Sequence, residues 1–237
     1  MVGQVIKLVS RSIPPIRGGL RGLLGPEERA ALDAIALRSS LDAGRSIYDE
    51  GDPGLHLCIV ESGLVMLERV ASDGARQVVG FEFPEDMFGI PLNGAYMQSA
   101  VALKPTRVLR YPYEKLRHVV REHPKVDDAI HRIMNRVLAA VLDQLCVLGR
   151  MTARERVVYL LLHLADREGR AHEAPLVVDV PMTRTDIADF LGLTVETVSR
   201  TISELKRQGI IHLRDTHQIE IRELGPVDAI AERFRHA

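Results

Sequence analysis

Apolar residues recur along the chain in three different rhythms, and each rhythm predicts a different kind of element. From Gly25 to about Pro112, short runs rich in Val, Ile, Leu and Phe stand between dense breaks, at residues 55–60, 64–70, 77–83 and 107–111. Gly44, Gly51-Asp52, Gly63, Asp73-Gly74 and Gly89 interrupt them at strand length, a pattern that fits hairpins in a small antiparallel barrel or sandwich. Residues 26–37 read as a short helix leading into it. Between Pro124 and Leu148 the period becomes helical: Ile130, Met134, Val137, Val141, Leu145 and Leu148 fall three or four apart on one stripe. Ile133, Leu138, Leu142 and Cys146 cover a neighbouring face. A helix apolar on two sides needs two partners, here its own barrel and the same helix of a second subunit.

The third rhythm begins after Gly149. Thr152-Ala153-Arg154-Glu155 is a capping box opening a helix that runs to about Glu168 and stops at Gly169. A strand is predicted at 176–180, then two helices separated by one glycine. A two-stranded wing follows at 210–214 and 218–222, across Asp215-Thr216-His217. The first 22 residues carry four positive charges, no negative ones, Pro14-Pro15 and Gly18-Gly19, a composition that resists regular structure and predicts a loose basic arm.

Composition narrows the function. The 237 residues are 46% hydrophobic and 27% charged with a formal net charge of -1, as in a soluble globular protein. No run approaches the ~18 apolar residues of a membrane helix, and residues 1–24 interleave Lys7, Arg11, Arg17 and Arg21 with apolar residues, so a cytoplasmic protein with no membrane partner is expected. Cys58 and Cys146 are too few and too far apart for a disulfide framework, a zinc ribbon or a four-thiolate cluster. No nucleophile motif, phosphate loop or metal-spaced ligand set points to an enzyme. Near-zero net charge argues against coating nucleic acid along the whole surface and permits one local basic face.

The segment from Thr183 to Arg200 supplies that face. Thr183 caps one helix, Ile187, Ala188 and Leu191 form its inner stripe, Gly192 permits a tight corner, and Thr194 caps the next helix. On that second helix Val198, Ile202 and Leu205 must face the core, which turns Glu196, Ser199, Arg200, Ser203 and Arg207 outward. This is a helix-turn-helix with DNA-reading chemistry. Arg200 can donate two hydrogen bonds to a guanine edge, Glu196 can accept from cytosine, and Ser199 can serve a base edge or phosphate. The competing explanation is a solvated Glu196–Arg200 ion pair at i, i+4, worth only ~0.3 to 0.5 kcal/mol. Thr183, Arg184, Thr194, Thr197, Ser203, Arg207 and His217 are the expected phosphate or flank contacts, with Lys206, His212 and Arg214 nearby. Residues 149–237 hold 13 Lys+Arg against 14 Asp+Glu, so positive charge has to be focused on one face.

These residues resemble the superfamily of the cyclic-AMP receptor protein and the fumarate and nitrate reduction regulator. The resemblance covers nearly everything from Leu23 onward. Leu148 through Val157 is similar to the family's hinge after the dimer helix. Gly44, Glu50-Gly51-Asp52, Gly63, Asp73-Gly74, Gln77, Gly80-Phe81, Pro84, Asp86 and Gly89 are similar to its β-roll. The resemblance implies an α+β fold: a basic flexible arm at 1–22, an antiparallel, cyclic-nucleotide-binding-like β-roll at 23–122, a long dimerisation helix at 123–149, and a winged helix-turn-helix that binds DNA at 150–237. It also implies a homodimeric transcription activator acting on double-stranded DNA and RNA polymerase. Glu196, Ser199 and Arg200 match the family's base-reading positions. Val195 stands where the cyclic-AMP branch has arginine, so the implied half-site resembles TTGAT.

Family members that bind cyclic AMP use a Gly-Glu pair for the ribose and an arginine before Ser/Thr-Ala for the phosphate. Here the matching stretches read Phe88-Gly89-Ile90-Pro91 and Gln98-Ser99-Ala100, so both ligand side chains are missing and cyclic AMP is not expected. The N-terminal cysteines of the iron-sulfur branch are absent too. What remains resembles the FixK-type branch, regulators of microaerobic and related metabolism that often lack a cofactor, and none is expected. The alternatives are an effector-gated regulator holding haem, for which His56 beside Cys58 is the hint, or a small molecule in the β-roll, and a thiol redox sensor through Cys146.

Overall fold

The computed structural model describes residues 19–167, 175–215 and 217–222. Most of the expected basic arm lies outside them. Its last residues do not fit the expectation: Gly19–Gly22 form a helical turn, α1, with Leu20 fully buried.

The described residues divide into two compact units, 19–137 and 138–222. The boundary differs from the expected one because the long helix is not a unit of its own. In the first unit α2 (Pro26–Ile35) begins with Pro26 at its first position, where the missing N–H costs nothing. Eight strands follow: β1 (Leu37–Leu41), β2 (Ser46–Tyr48), β3 (His56–Ser62), β4 (Val65–Val70), β5 (Arg76–Glu82), β6 (Met87–Phe88), β7 (Ser99–Ala102) and β8 (Thr106–Pro112). They form two four-stranded antiparallel sheets, ordered β1-β8-β3-β6 and β2-β7-β4-β5.

Strand β3 shows why the apolar runs are nearly continuous. Its alternate residues Cys58 and Val60 join Val65, Leu67, Phe88 and Val108 between the sheets, while Leu57 and Ile59 face a second core with Leu109, Tyr111 and the helices. Both faces are covered, so both must be apolar. At the β3–β4 turn Gly63 has φ +106, and a Cβ there would collide with the Thr106 hydroxyl oxygen.

Two helices close the unit. Sequence periodicity had not indicated α3 (Tyr113–Glu122), which buries Leu116 and Val119. At His123 the backbone leaves helical geometry, because the residue before a proline is disfavoured in it, and α4 (Pro124–Arg150) restarts at Pro124. Val126, Ala129 and Ile133 bury one face of α4 in this unit.

The second unit contains the rest of α4, then α5 (Ala153–Arg167), β9 (Leu176–Asp179), α6 (Arg184–Leu191), α7 (Val195–Arg207), β10 (Ile211–Leu213) and β11 (Gln218–Ile221). The Thr152–Glu155 box forms as read: the Thr152 N–H donates to Glu155 Oε2 at 2.8 Å and the Glu155 N–H to Thr152 Oγ1 at 3.4 Å. The wing is larger than the predicted pair of strands. β11 pairs with β10 on one side and with β9 on the other, making a three-stranded antiparallel sheet.

Candidate nucleic-acid interface

Caps at both helix starts and a left-handed corner fix the α6–turn–α7 unit. The Thr183 hydroxyl accepts from the Asp186 N–H at 3.1 Å, and the Asp186 carboxylate accepts from the Thr183 N–H at 2.9 Å. Gly192 ends α6 at φ 61, ψ 44, a conformation that costs other residues ~1 kcal/mol or more. Thr194 accepts from the Thr197 N–H at 3.2 Å to start α7. Val198, Ile202 and Leu205 are 0%, 4% and 1% exposed, so the apolar side of α7 is locked into the unit. Glu196, Ser199, Arg200, Ser203 and Arg207 are all exposed, as their spacing predicted.

No ion pair joins Glu196 to Arg200 among the described residues. Glu196 instead turns back to the helix start, where its own backbone N–H and then the Thr194 side chain hold its carboxyl below the usual range. Arg200, Lys206 and Arg207 likewise meet no carboxylate among the described residues. The wing cations are treated differently: Arg214 and Arg222 lie 2.9 and 3.3 Å from the two Glu220 carboxylate oxygens. Positive charge is thus left free along α7 and partly neutralised on the wing, which is how a domain of balanced charge can still present a basic strip.

The expected flank residues divide. Arg207 and His217 are exposed. Arg184 is partly enclosed, and burial pulls its guanidinium below the ordinary value. The Thr183 hydroxyl is engaged by Asp186 at 2.7 Å, Thr194 donates to Thr197 at 3.1 Å, and Ser203 donates to the Ser199 carbonyl at 2.9 Å. These hydroxyls stabilise the helices first.

On α4 the apolar stripe stays largely uncovered within the chain. Met134, Val137, Val141 and Leu145 are 42% to 61% exposed, and Leu138 and Leu142 from the neighbouring face join them at 59% and 54%. The two ends of the predicted stripe differ: Ile130 and Leu148 are only partly exposed. Ile130 packs on the β-roll core, while Leu148 lies beside the helix-turn-helix corner. Cys146 is exposed, and Cys58 is buried between the sheets.

The interior of the roll is filled by rings. Tyr48 stacks on Tyr96 with centroids 3.7 Å apart and lies 6.1 Å from Phe88, beside the close-packed backbone of Gly89. His56 and Cys58 stand next to this stack, and no group of three or more His, Cys, Asp or Glu among the described residues could hold a metal ion.

Comparison with known proteins agrees with both halves. Residues 38–123 match the cyclic nucleotide-binding domain family and residues 155–225 the Crp-like helix-turn-helix domain family. The nitrogen fixation regulation protein FixK of Rhizobium meliloti is 35% identical over 84% of this chain and 87% of its own. The transcriptional activator protein FnrL of Cereibacter sphaeroides is 31% identical over 84% of this chain and 82% of its own. The structure of FixK2 from Bradyrhizobium japonicum superposes with a TM-score of 0.75 at 32% identity, covering 83% of this chain and 97% of that one.

Proposed function

Because the chain belongs to the cyclic-AMP receptor and fumarate and nitrate reduction superfamily of DNA-binding transcription regulators, on its FixK-like side, we propose that it acts in the cytoplasm as a homodimeric activator on a TTGAT-type palindrome. Each protomer places α7 in the major groove of one half-site, with Glu196, Ser199 and Arg200 on base edges and Arg207 and His217 on phosphates. The observation that carries this is the exposed trio, joined by no ion pair among the described residues, on a helix whose opposite side is buried. The uncovered stripe of α4 supports pairing with a second copy, and DNA-bound dimers then recruit RNA polymerase. The packed Tyr48–Tyr96–Phe88 interior supports a regulator that works without cyclic AMP. We place its targets in oxygen-limited or related metabolism, the setting that the FixK-type resemblance implies, and the relatives named as regulators of nitrogen fixation are consistent with a metabolic regulator.

Selection of bound sequences from a random duplex library tests the proposal. The expected product is an inverted repeat whose half-sites lie ~34 to 36 Å apart, one DNA turn. Recovery of single half-sites, or of no common sequence, would overturn it.

A further inference from the structure

The guanidinium of Arg156, on the first turns of α5, is spent entirely on main-chain carbonyls. Its Nε donates to Met151 O at 3.0 Å, and its Nη2 to Leu148 O at 2.6 Å. Its Nη1 reaches Leu191 O at 2.8 Å and Gly192 O at 3.4 Å. No carboxylate pairs with it among the described residues. These acceptors are the kind of carbonyl that a helix end leaves without an amide partner. Leu148 O belongs to the last turn of α4, where the amide that would continue the ladder, Thr152 N–H, is taken by Glu155. Leu191 O and Gly192 O belong to the end of α6 and the corner before α7.

One planar fork therefore binds two helix ends to each other. Neither a lysine nor any neutral side chain offers five donors in fixed directions. A second bond repeats the connection one turn earlier: Gln144 Nε2, also on α4, donates to Phe190 O at 3.2 Å. Leu148 and the Arg156 Nη1 both lie 3.5 Å from where a Gly192 Cβ would be, so the corner is in direct contact with the helix end. Only Leu193 and Thr194 separate this corner from the first residue of α7.

We propose that Arg156, seconded by Gln144, is a positioning residue that locks the helix-turn-helix corner to the end of α4, and so sets the separation and rotation of the two reading helices in a dimer. The inference rests on the dimer-on-palindrome reading above. Arg156 and Gln144 touch no base. They act by holding Leu191, Gly192 and hence α7 against the same stretch of helix whose exposed Leu138, Val141, Leu142 and Leu145 face the second copy. With that lock in place, simultaneous engagement of both half-sites is favoured at one spacing only. Without it each domain still reads its half-site, but the second contact loses the advantage of being pre-placed.

Three duplexes distinguish positioning from simple destabilisation: the selected palindrome, the same palindrome with two base pairs inserted at its centre, which turns one half-site by about 70°, and a lone half-site. Full-length wild type is compared with Arg156→Met, Arg156→Lys and Gln144→Leu by fluorescence anisotropy at fixed salt. Wild type is expected to prefer the palindrome over the inserted duplex by about tenfold or more. Arg156→Met should reduce that preference to about threefold or less while its affinity for the lone half-site stays within about twofold, and Arg156→Lys should lie between. If Arg156→Met fails to fold by circular dichroism, Gln144→Leu carries the test, with a smaller loss of preference in the same direction. Retention of the wild-type preference, or equal weakening on all three duplexes, overturns the positioning role. A wild type that shows no spacing preference overturns the palindrome reading instead.

Discussion

Val141→Glu separates a paired α4 from a solitary one. Val141 is 51% exposed in the single chain, and glutamate is a better helix former than valine, so the fold of the protomer should hardly notice the change. A dimer through the stripe would notice it twice. Complete burial of a valine side chain is worth ~1.5 to 3 kcal/mol, and about half remains to be buried, which gives about 1 kcal/mol per copy. Enclosing an unpaired carboxylate costs several kcal/mol more in each subunit. Together the loss exceeds about 5 kcal/mol, raising the dissociation constant at least ~1000-fold. Light scattering across the micromolar range should therefore give twice the 26.4 kDa chain mass for wild type and one chain mass for the variant, with matching circular dichroism spectra. A variant that keeps the doubled mass would show that the exposed stripe is not the dimer contact.

Arg200→Ala removes a side chain that is exposed and meets no carboxylate among the described residues, so thermal stability should change by less than ~0.5 kcal/mol while binding loses about 1 to 3 kcal/mol per half-site. An equal loss on a scrambled duplex at the same salt would refute base reading. The thiols should differ sharply: burial pushes Cys58 up to about 12, whereas Cys146 is exposed. The monomeric Val141→Glu variant, whose α4 stripe is uncovered, should thus consume one equivalent of an aromatic disulfide reagent at pH 8 when native and two when denatured, and two native equivalents would mean that the roll interior opens. Glu220 provides an acid test. The hydrogen bond from Arg214, reinforced by Arg222, holds its carboxyl below the ordinary 4.5, so the folded state binds this proton later than the unfolded state does. Its contribution is present above pH 4.5 and fades as pH falls through the lower folded value. Melting curves from pH 6 to pH 3 should therefore fall less steeply for Glu220→Gln, and parallel curves would remove Glu220 from the account.

What could be read from the residues alone was whatever depends on near neighbours. The Thr183, Thr194 and Thr152 caps, the αL corner at Gly192 and the inner stripe Val198, Ile202, Leu205 all act over three to seven positions, and their spacing marks the helices and the outward Glu196, Ser199 and Arg200 directly. The four longer strand runs of the roll were legible for the same reason. The two-residue β6 is too short to show any period, and α3 went unread between the last strand and Pro124. Tertiary structure decided the rest. It joined β9 to β11, filled the roll with Tyr48, Tyr96 and Phe88, drew Ile130 and Leu148 away from the ends of the exposed stripe, and brought Arg156 against carbonyls 35 and 36 residues away. A carbonyl is present at every residue, so no choice of side chain marks which one an arginine will find. Only the packing of one helix end on another makes that selection.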